Sequence, residues 1–428
     1  MLYIQKKKNK MFVYVCGILI LSLLTSCGLL DKSVDKKEPE MSMELTVLTP
    51  QSEESFYQIY GNHIMSKFPN ITFKVVSSNN DSLYDSDSFF EQSHPDLVIS
   101  YLPTFRDLRD QELIENLSPF VQDSNNLELD KYYNQMEKVL SNESGDLLGL
   151  APQVVVSGIF YNKNLFDSLQ IDYPTDQMDW NQILSLSSRF AKSGWFGLEG
   201  GEATPQHIIM AILSTNKVKL VDDQKKELLF NKKDWLTMIE LVMNLMKQES
   251  LVEGTGEQFL EGRAAMLSSN ISIIPELQKK NDFSWGVTSY PADSFNPNLN
   301  SGLQFNHVFA INKESSNKQD VWNVIAYLMS EDSVEPLQSQ DLIGSISTLN
   351  SRLGNYGGIE INQLINKTID TRRGYYDDLS QEFQDEFGEM LKSVLNSGVI
   401  NAKSTEQVYQ EIVSQAINIY AKEKLKSE

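Results

Sequence analysis

At 428 residues the chain is long enough for two typical domains, and its 41% hydrophobic and 22% charged residues are those of a globular protein, not of a disordered or membrane-embedded one. A net charge of −21 argues against a nucleic-acid ligand, because displacing counterions from phosphates needs a basic patch. With two cysteines, Cys16 and Cys27, the chain has no disulfide framework to rely on, so stability must come from a hydrophobic core.

The N-terminus reads first. Lys6, Lys7, Lys8 and Lys10 precede a charge-free segment from Met11 to Ser26, the pattern of a basic n-region followed by an apolar h-region, so residues 1–26 are expected to be a secretory signal peptide. That segment has 16 residues, short of the roughly 20 a permanent membrane span needs. "LTSC" at Leu24 to Cys27 resembles the lipobox of bacterial lipoproteins, which implies that Cys27 is lipidated and becomes the new N-terminus. An ordinary cleaved signal or an uncleaved anchor are the alternatives. Cys16 lies in the part that would be discarded, which leaves no disulfide to form. Removing the four leader lysines leaves 33 of the 37 basic residues against 58 acidic ones, a net charge of −25. Residues 27–43, including "DKSVDKKEPEMS", are charged and free of aromatics, and read as the lipidated cysteine with a flexible tether.

Next comes "ELTVLTP", a β-branched run closed by Pro50. It is followed by a helical spacing of Phe56, Ile59, Tyr60, Ile64 and Phe68, and then by strand patterns in "ITFKVVSS" and "HPDLVISYLP". Alternating strands and helices predict βαβ units and a mainly parallel sheet. Further on, "DWNQILSLSSRFAK" has Asp179 as N-cap with Trp180, Ile183, Leu184 and Phe190 on one face. In "DWLTMIELVMNLMKQ" the apolar face is Trp235, Met238, Ile239, Val242, Leu245 and Met246, a stripe expected to face a core. No repeat of 20 to 50 residues occurs, which argues against a solenoid.

Signals of catalysis are sparse. The four histidines, His63, His94, His207 and His307, are far apart in sequence, and no H-E-x-x-H or cysteine pair offers convergent metal ligands. His63 falls on the apolar side of its predicted helix, the setting of a structural histidine. No nucleophile elbow, phosphate loop or dinucleotide fingerprint occurs. The acidic stretch around Asp81, Asp85, Asp87 and Glu91 lacks the central glycine and ligand spacing of a calcium loop and reads as solvated. A pair of carboxylates meeting only in the fold, as in glycoside hydrolysis, stays open among 58 acidic residues. The expectation is a protein without metal or cofactor and not an enzyme.

Several segments in order resemble the extracellular solute-binding proteins of ABC importers, the group that includes sugar binders. They are "HPDLVISYLP", "LRDQELIENLSPFV", "GDLLGLAPQVVVSGIFYNKNLFDSL", "DWNQILSLSSRFA", "QFLEGRAAMLSSN", "FSWGVTSYP" and "HVFAINKESSNKQDVWNVIAYLMSED". The resemblance runs from about residue 44 into the 340s, and "FYNKNLF" and F-x-x-G-R-A-A-M are its most specific parts. It implies an α/β, two-lobe, periplasmic-binding-protein-like fold of type II, with mixed or mostly parallel sheets flanked by helices. Lobe 1 would comprise 44–152 plus 284–331 and lobe 2 157–280 plus 335–428, with crossovers near Gln153 to Val156, near Asn281 to Phe283 and after Met329.

The resemblance also places ligand-binding candidates by position. Tyr101 follows the strand "DLVIS" at the cleft lip, where its ring and hydroxyl suit a polar ligand. Gln153 lies at the first crossover. Trp195 follows a Ser-Gly turn where relatives often present an aromatic residue. Asn270 ends "AAMLSSN", and Gln304 and Asn306 occupy the loop before "VFAIN". Side-chain amides both donate and accept, as sugar hydroxyls require. Tyr161 and Asn162 are expected to be structural, fixing the strand-to-helix turn. The chain departs from many relatives in having "SGLQFNH" where they carry a "GGW"-like loop, and in lacking a proline after Gly344. The implied function is a monomeric, lipid-anchored receptor on the extracytoplasmic face of the cell membrane. It would capture a small polar solute, a sugar or a peptide, for ABC permease subunits. A surface glycan hydrolase and a binding or sensing lipoprotein uncoupled from transport are the rivals.

Overall fold

The strands and helices assemble around a four-stranded and a seven-stranded sheet, the larger one built on a single long strand. The structure is a computed structural model that describes residues 43–78, 90, 92–123, 127–201, 203–222, 227–300, 302–339, 344–365, 368–369 and 379–427. The signal peptide, Cys27, the tether up to Ser42 and the acidic cluster of Asp81, Asp85, Asp87 and Glu91 lie outside the described residues. Ser42–Glu428 form one compact unit.

The smaller sheet opens with β1 (Met43–Thr49), parallel to β2 (Ile71–Ser77) and to β3 (Leu97–Ser100). Between β1 and β2 the chain is helical from Glu53 to Lys67, with a π-helical segment at Tyr57–Gly61 that lets Tyr60 and Gly61 both turn inward. After β3, helix α1 (Leu102–Asp110) begins with Pro103 in its first turn, where the missing N–H costs nothing. The sheet is completed far later by β10 (Val308–Ile311), antiparallel to β3 with Val308 opposite Ser100, giving the order β10-β3-β1-β2.

The larger sheet is built on β4 (Gln153–Asn162). Helix α2 (Trp180–Ala191) follows, then β5 (Phe196–Glu199), α3 (Pro205–Thr215), α4 (Lys232–Lys247), β6 (Leu251–Val252), the short α5 (Glu257–Leu260), β7 (Ala264–Asn270) and β8 (Trp285–Ser289). Its order is β8-β4-β7-β5-β6; β4 is antiparallel to β7 and β8, and β5 is parallel to β7 and β6. The mixed sheets flanked by helices form the expected two-lobe α/β fold.

The helix signals act as the sequence predicts. Asp179 and Gln182 form a capping box, Gln182 N donating to Asp179 Oδ1 at 2.9 Å and Asp179 N to Gln182 Oε1 at 3.0 Å. Asn162 caps the next helix by accepting from Leu165 N at 3.3 Å, in keeping with a structural role. Trp235 is buried between Phe230, with ring centroids 4.9 Å apart, and Phe387, at 6.4 Å and nearly perpendicular. Phe387 belongs to α7 (Gln381–Ile400), which pairs with α8 (Thr405–Ser427) and packs on α3 and α4, so the C-terminal hairpin joins the core of the larger lobe.

Two short strands extend the larger sheet at the start of β4. The first residues of β4 pair antiparallel with β9 (Leu303–Phe305) and β11 (Ser345–Ser347), its later ones with β7 and β8. Helix α6 (Lys318–Met329) packs against β10 in the smaller lobe. Trp285–Ser289 pairs with Gly158–Asn162 of β4 in the larger sheet. The helix Glu331–Ser339 packs on α6 and on β11, with Ser333 Oγ donating to Leu328 O at 2.6 Å. Among the described residues no helix is long and apolar enough to cross a membrane.

Candidate functional site

The C-terminal ends of β1 and β3 and the starts of β4 and β10 meet on one side of the smaller lobe. There, Val308 lies opposite Ser100, Phe309 bridges to Leu150, and Asn306 N donates to Gln153 O at 3.0 Å. In open α/β sheets this is the side where ligands bind.

At this edge His307, 6% exposed, forms the floor. Tyr60 OH lies 2.8 Å from its Nδ1 and Gln51 Nε2 lies 3.4 Å from its Nε2. Burial lowers its pKa to about 4, so the imidazole is neutral at physiological pH. Tyr101, 45% exposed at the N-cap of α1, lays its ring over His307 with centroids 5.1 Å apart and planes 30° from parallel. A rigid, backed aromatic face with a hydroxyl at its edge is suited to a sugar ring. Two buried polar atoms at the same edge, Gln153 Nε2 and Ser100 Oγ, have no hydrogen-bond partner among the described residues. Buried polar groups are satisfied in the great majority of cases, and orphaned ones mark places where a ligand, a water or a second conformation supplies the partner.

On the larger lobe a cavity of about 670 Å3 opens beside the middle of β4 and the end of β7, within the usual range for small-molecule sites. Ser157 of β4 and Ser268, Ser269 and Asn270 of β7 form its floor; in the sheet Ser157 lies directly opposite Asn270. Thr255 comes from the turn before α5 and Glu257 from its first position, Ser272 and Glu276 from the helical turns after β7, and Tyr290 closes the wall. Asn270 Oδ1 is already used, accepting from Ser272 N at 3.0 Å and from Ser272 Oγ, which leaves its amide N–H groups as donors. Gly344, at φ +68°, passes so close that a Cβ there would lie 2.5 Å from Ser272 N. Only glycine meets both the left-handed backbone and the close approach.

The turn that carries Glu257 is tied from behind. Glu199, wholly buried, accepts from Gly256 N at 3.1 Å, Gln258 N at 3.2 Å and Phe259 N at 2.6 Å. Burial raises its pKa, against the three backbone donors that favour the carboxylate. Glu257 is held by Thr255 Oγ1 at 2.7 Å and Thr255 N at 3.0 Å, and these bonds, the hydroxyl's first, lower its pKa.

Of the residues picked from the sequence, Asn270 lines the cavity. Tyr101, Gln153 and Asn306 gather at the smaller-lobe edge, and exposed Gln304 sits on β9 opposite Val155. Trp195 is not with them. It precedes β5, whose Phe196 lies opposite Ala264, the end of β7 remote from Asn270 and about 20 Å away along the strand. The residues missed were His307, Ser157, Thr255, Glu257, Ser268, Ser269, Glu276 and Tyr290. For these the only available signals were the run of small polar residues in "LSSN" and the glycine-rich turn "EGTGE". Among the described residues no group of three or more His, Cys, Asp or Glu could hold a metal.

The sequence profile of the bacterial extracellular solute-binding proteins matches residues 49–335, more than half of the chain. The chain belongs to this family. Solute-binding proteins of this family bind and do not catalyse, so the two sets of polar groups belong to a binding protein, not an enzyme. No curated protein matches the sequence. Among solved structures, an extracellular solute-binding protein family 1 member from Alicyclobacillus acidocaldarius superposes with a TM-score of 0.64 at 12% identity, covering 90% of this chain and 100% of its own. The sugar-binding protein MalE from Xanthomonas citri gives 0.60 at 16% identity, with 90% and 98% covered. An ABC substrate-binding protein from Listeria monocytogenes in complex with cycloalternan gives 0.57 at 13%, with 88% and 98% covered. At these identities the likeness is one of fold.

Proposed function

We propose that this solute-binding protein is a lipid-anchored receptor that captures a carbohydrate between its lobes by hinge closure and passes it to an ABC permease. The observation that carries the reading is the pairing of two walls across β4: the Tyr101 and His307 edge on the smaller lobe, and the hydroxyl- and amide-lined cavity on the larger one. A ligand touching both walls stabilises the closed arrangement by its differential affinity. Sugar hydroxyls match serine hydroxyls and asparagine amides in donor and acceptor number. The neighbours described as sugar-binding or as complexed with cycloalternan support a carbohydrate over a peptide. Lipidation rests on "LTSC" and would hold the receptor beside its membrane transporter.

Residues 42–428, expressed alone, should show a rise in melting temperature with at least one member of a panel of neutral oligosaccharides and peptides. Tyr101→Ala and Asn270→Ala should weaken that binding and Trp195→Ala should leave it unchanged. A flat response to every member would refute the reading. Labelled palmitate should enter the full-length chain and fail to enter Cys27→Ala; label that persists in the variant overturns the anchor.

A further inference from the structure

The larger-lobe wall is one-sided in charge. Among the described residues its lining contains two carboxylates, Glu257 and Glu276, and no lysine, arginine or histidine. Neither carboxylate forms an ion pair among the described residues. Glu257 is oriented by two bonds from Thr255, at 2.7 and 3.0 Å, and both leave it ionised while partly occupying each oxygen.

The backbone repeats the pattern. Free N–H groups at the start of a helix or tight turn are a ready anion site. In this cavity such groups are already taken by the protein itself. Gly256, Gln258 and Phe259 N–H point back to the buried Glu199 carboxylate, and Ser272 N–H points to Asn270 Oδ1. Gly254 lets the turn lie close to Glu199, since a Cβ there would come within 2.4 Å of Oε1 and 3.1 Å of Glu257 Oε2. Glu199 thus holds the turn that carries Glu257 from directly behind the wall. Discrimination between ligands commonly rests on such a repulsive element as much as on the attractive ones.

Building on the proposed binding role, we infer that this cleft selects its solute by charge, with Glu257 as the specificity-determining residue. It takes neutral and ammonium-bearing polyhydroxylated solutes and rejects those carrying carboxylate, sulfate or phosphate. An anionic substituent in the cavity meets Glu257 and Glu276 with no cation to offset them, whereas an ammonium group gains from both. Both carboxylates are exposed at the cavity wall, so the repulsion acts through a largely aqueous dielectric; the two together weaken binding on the order of tenfold, and salt reduces it.

The test uses residues 42–428 and matched oligomers of equal length: N-acetylglucosamine oligomers as neutral probes, glucosamine oligomers as cationic ones and galacturonate oligomers as anionic ones. Neutral, lysine-containing and aspartate-containing tripeptides form a second set. Melting shifts and calorimetric affinities are read at low and high salt. Expected are binders only among the neutral and cationic members, a disadvantage of about tenfold or more for the anionic counterpart of any binder, and narrowing of that gap by at least threefold in Glu257→Gln and at high salt. Glu276→Gln should narrow it as well, and Glu261→Gln, whose carboxylate pairs with Arg263 outside the lining, should not. An anionic probe that binds within threefold of its neutral counterpart, or a gap that Glu257→Gln and Glu276→Gln both leave unchanged, overturns the charge selection while the binding role stands. Absence of binding by every probe of both sets counts against the binding role and the selection together.

Discussion

His307 ties the stability of the smaller lobe to pH. In the unfolded chain a histidine titrates near 6.5, while burial lowers His307 to about 4 in the folded one. Between those values the unfolded state holds the proton and the native state does not, so stability falls as pH drops from 6.5 towards 4 and is unaffected above 6.5. At about 1.4 kcal/mol per unit the difference is worth about 3 kcal/mol by pH 4. Carboxylates titrate in the same window, so the measurement is a difference. Urea unfolding of the wild type and of His307→Gln is followed from pH 7.5 to pH 4; the glutamine cannot take up the proton but can still bond Tyr60. The groups packed on the ring, Tyr60, Gln51 and Tyr101, are uncharged throughout that range, so they add no slope of their own. The variant should lose about 3 kcal/mol less than the wild type over this range. Parallel curves would mean that His307 is solvated or charged in the folded protein, and the account of a neutral floor under Tyr101 would fail.

Three further outcomes follow from the packing. Glu199→Leu removes the acceptor of three backbone N–H groups in a buried setting and should cost roughly 3 kcal/mol by urea unfolding; a loss under about 1 kcal/mol would show that these bonds contribute little. Gly344→Ala forces a Cβ against Ser272 N from a left-handed backbone, so about 1–3 kcal/mol of stability should be lost, and an unchanged melting temperature would contradict the close approach. Trp235→Ala empties the contact between α4 and the C-terminal hairpin and should cost about 3–5 kcal/mol, with α7 and α8 gaining hydrogen exchange first; uniform exchange would place the hairpin's anchor elsewhere.

Local signals carried the fold well because their physics is local. The capping box at Asp179 and Gln182, the cap at Asn162 and the apolar stripe from Trp235 to Leu245 depend on spacings of three or four residues, and each is in place. The site depends on pairings that spacing does not encode. His307 meets Tyr60 across 247 residues, and nothing near either one announces the other. A Ser-Gly turn looks the same at either end of a strand; only the parallel register of Phe196 with Ala264 shows that Trp195 opens β5 at the end remote from Asn270. Trp285–Ser289 carries a strand pattern that either sheet could accept, and its antiparallel pairing with β4 decides the matter. Glu257 and Glu276 were hidden by number among 58 acidic residues, and what distinguishes them is a cavity without cations among the described residues.

On the proposed binding role, β4 also bears on the size of the solute. Gln153, at the smaller-lobe edge, and Ser157, in the cavity floor, lie four residues apart on β4, which spaces them by about 13 Å at the usual rise of a strand. That is longer than one monosaccharide ring, so a single sugar can occupy one wall but cannot engage both. A ligand confined to one wall gains no differential affinity for a closed arrangement and should bind weakly. Oligosaccharides of two or more rings should therefore bind at least about tenfold more tightly than their constituent monosaccharide in calorimetry. Tyr101→Ala should erase most of that advantage while leaving monosaccharide binding in the cavity little changed. A monosaccharide that binds as tightly as its oligomers, with Tyr101→Ala weakening both alike, would mean that the two walls serve different purposes and that the ligand does not bridge β4.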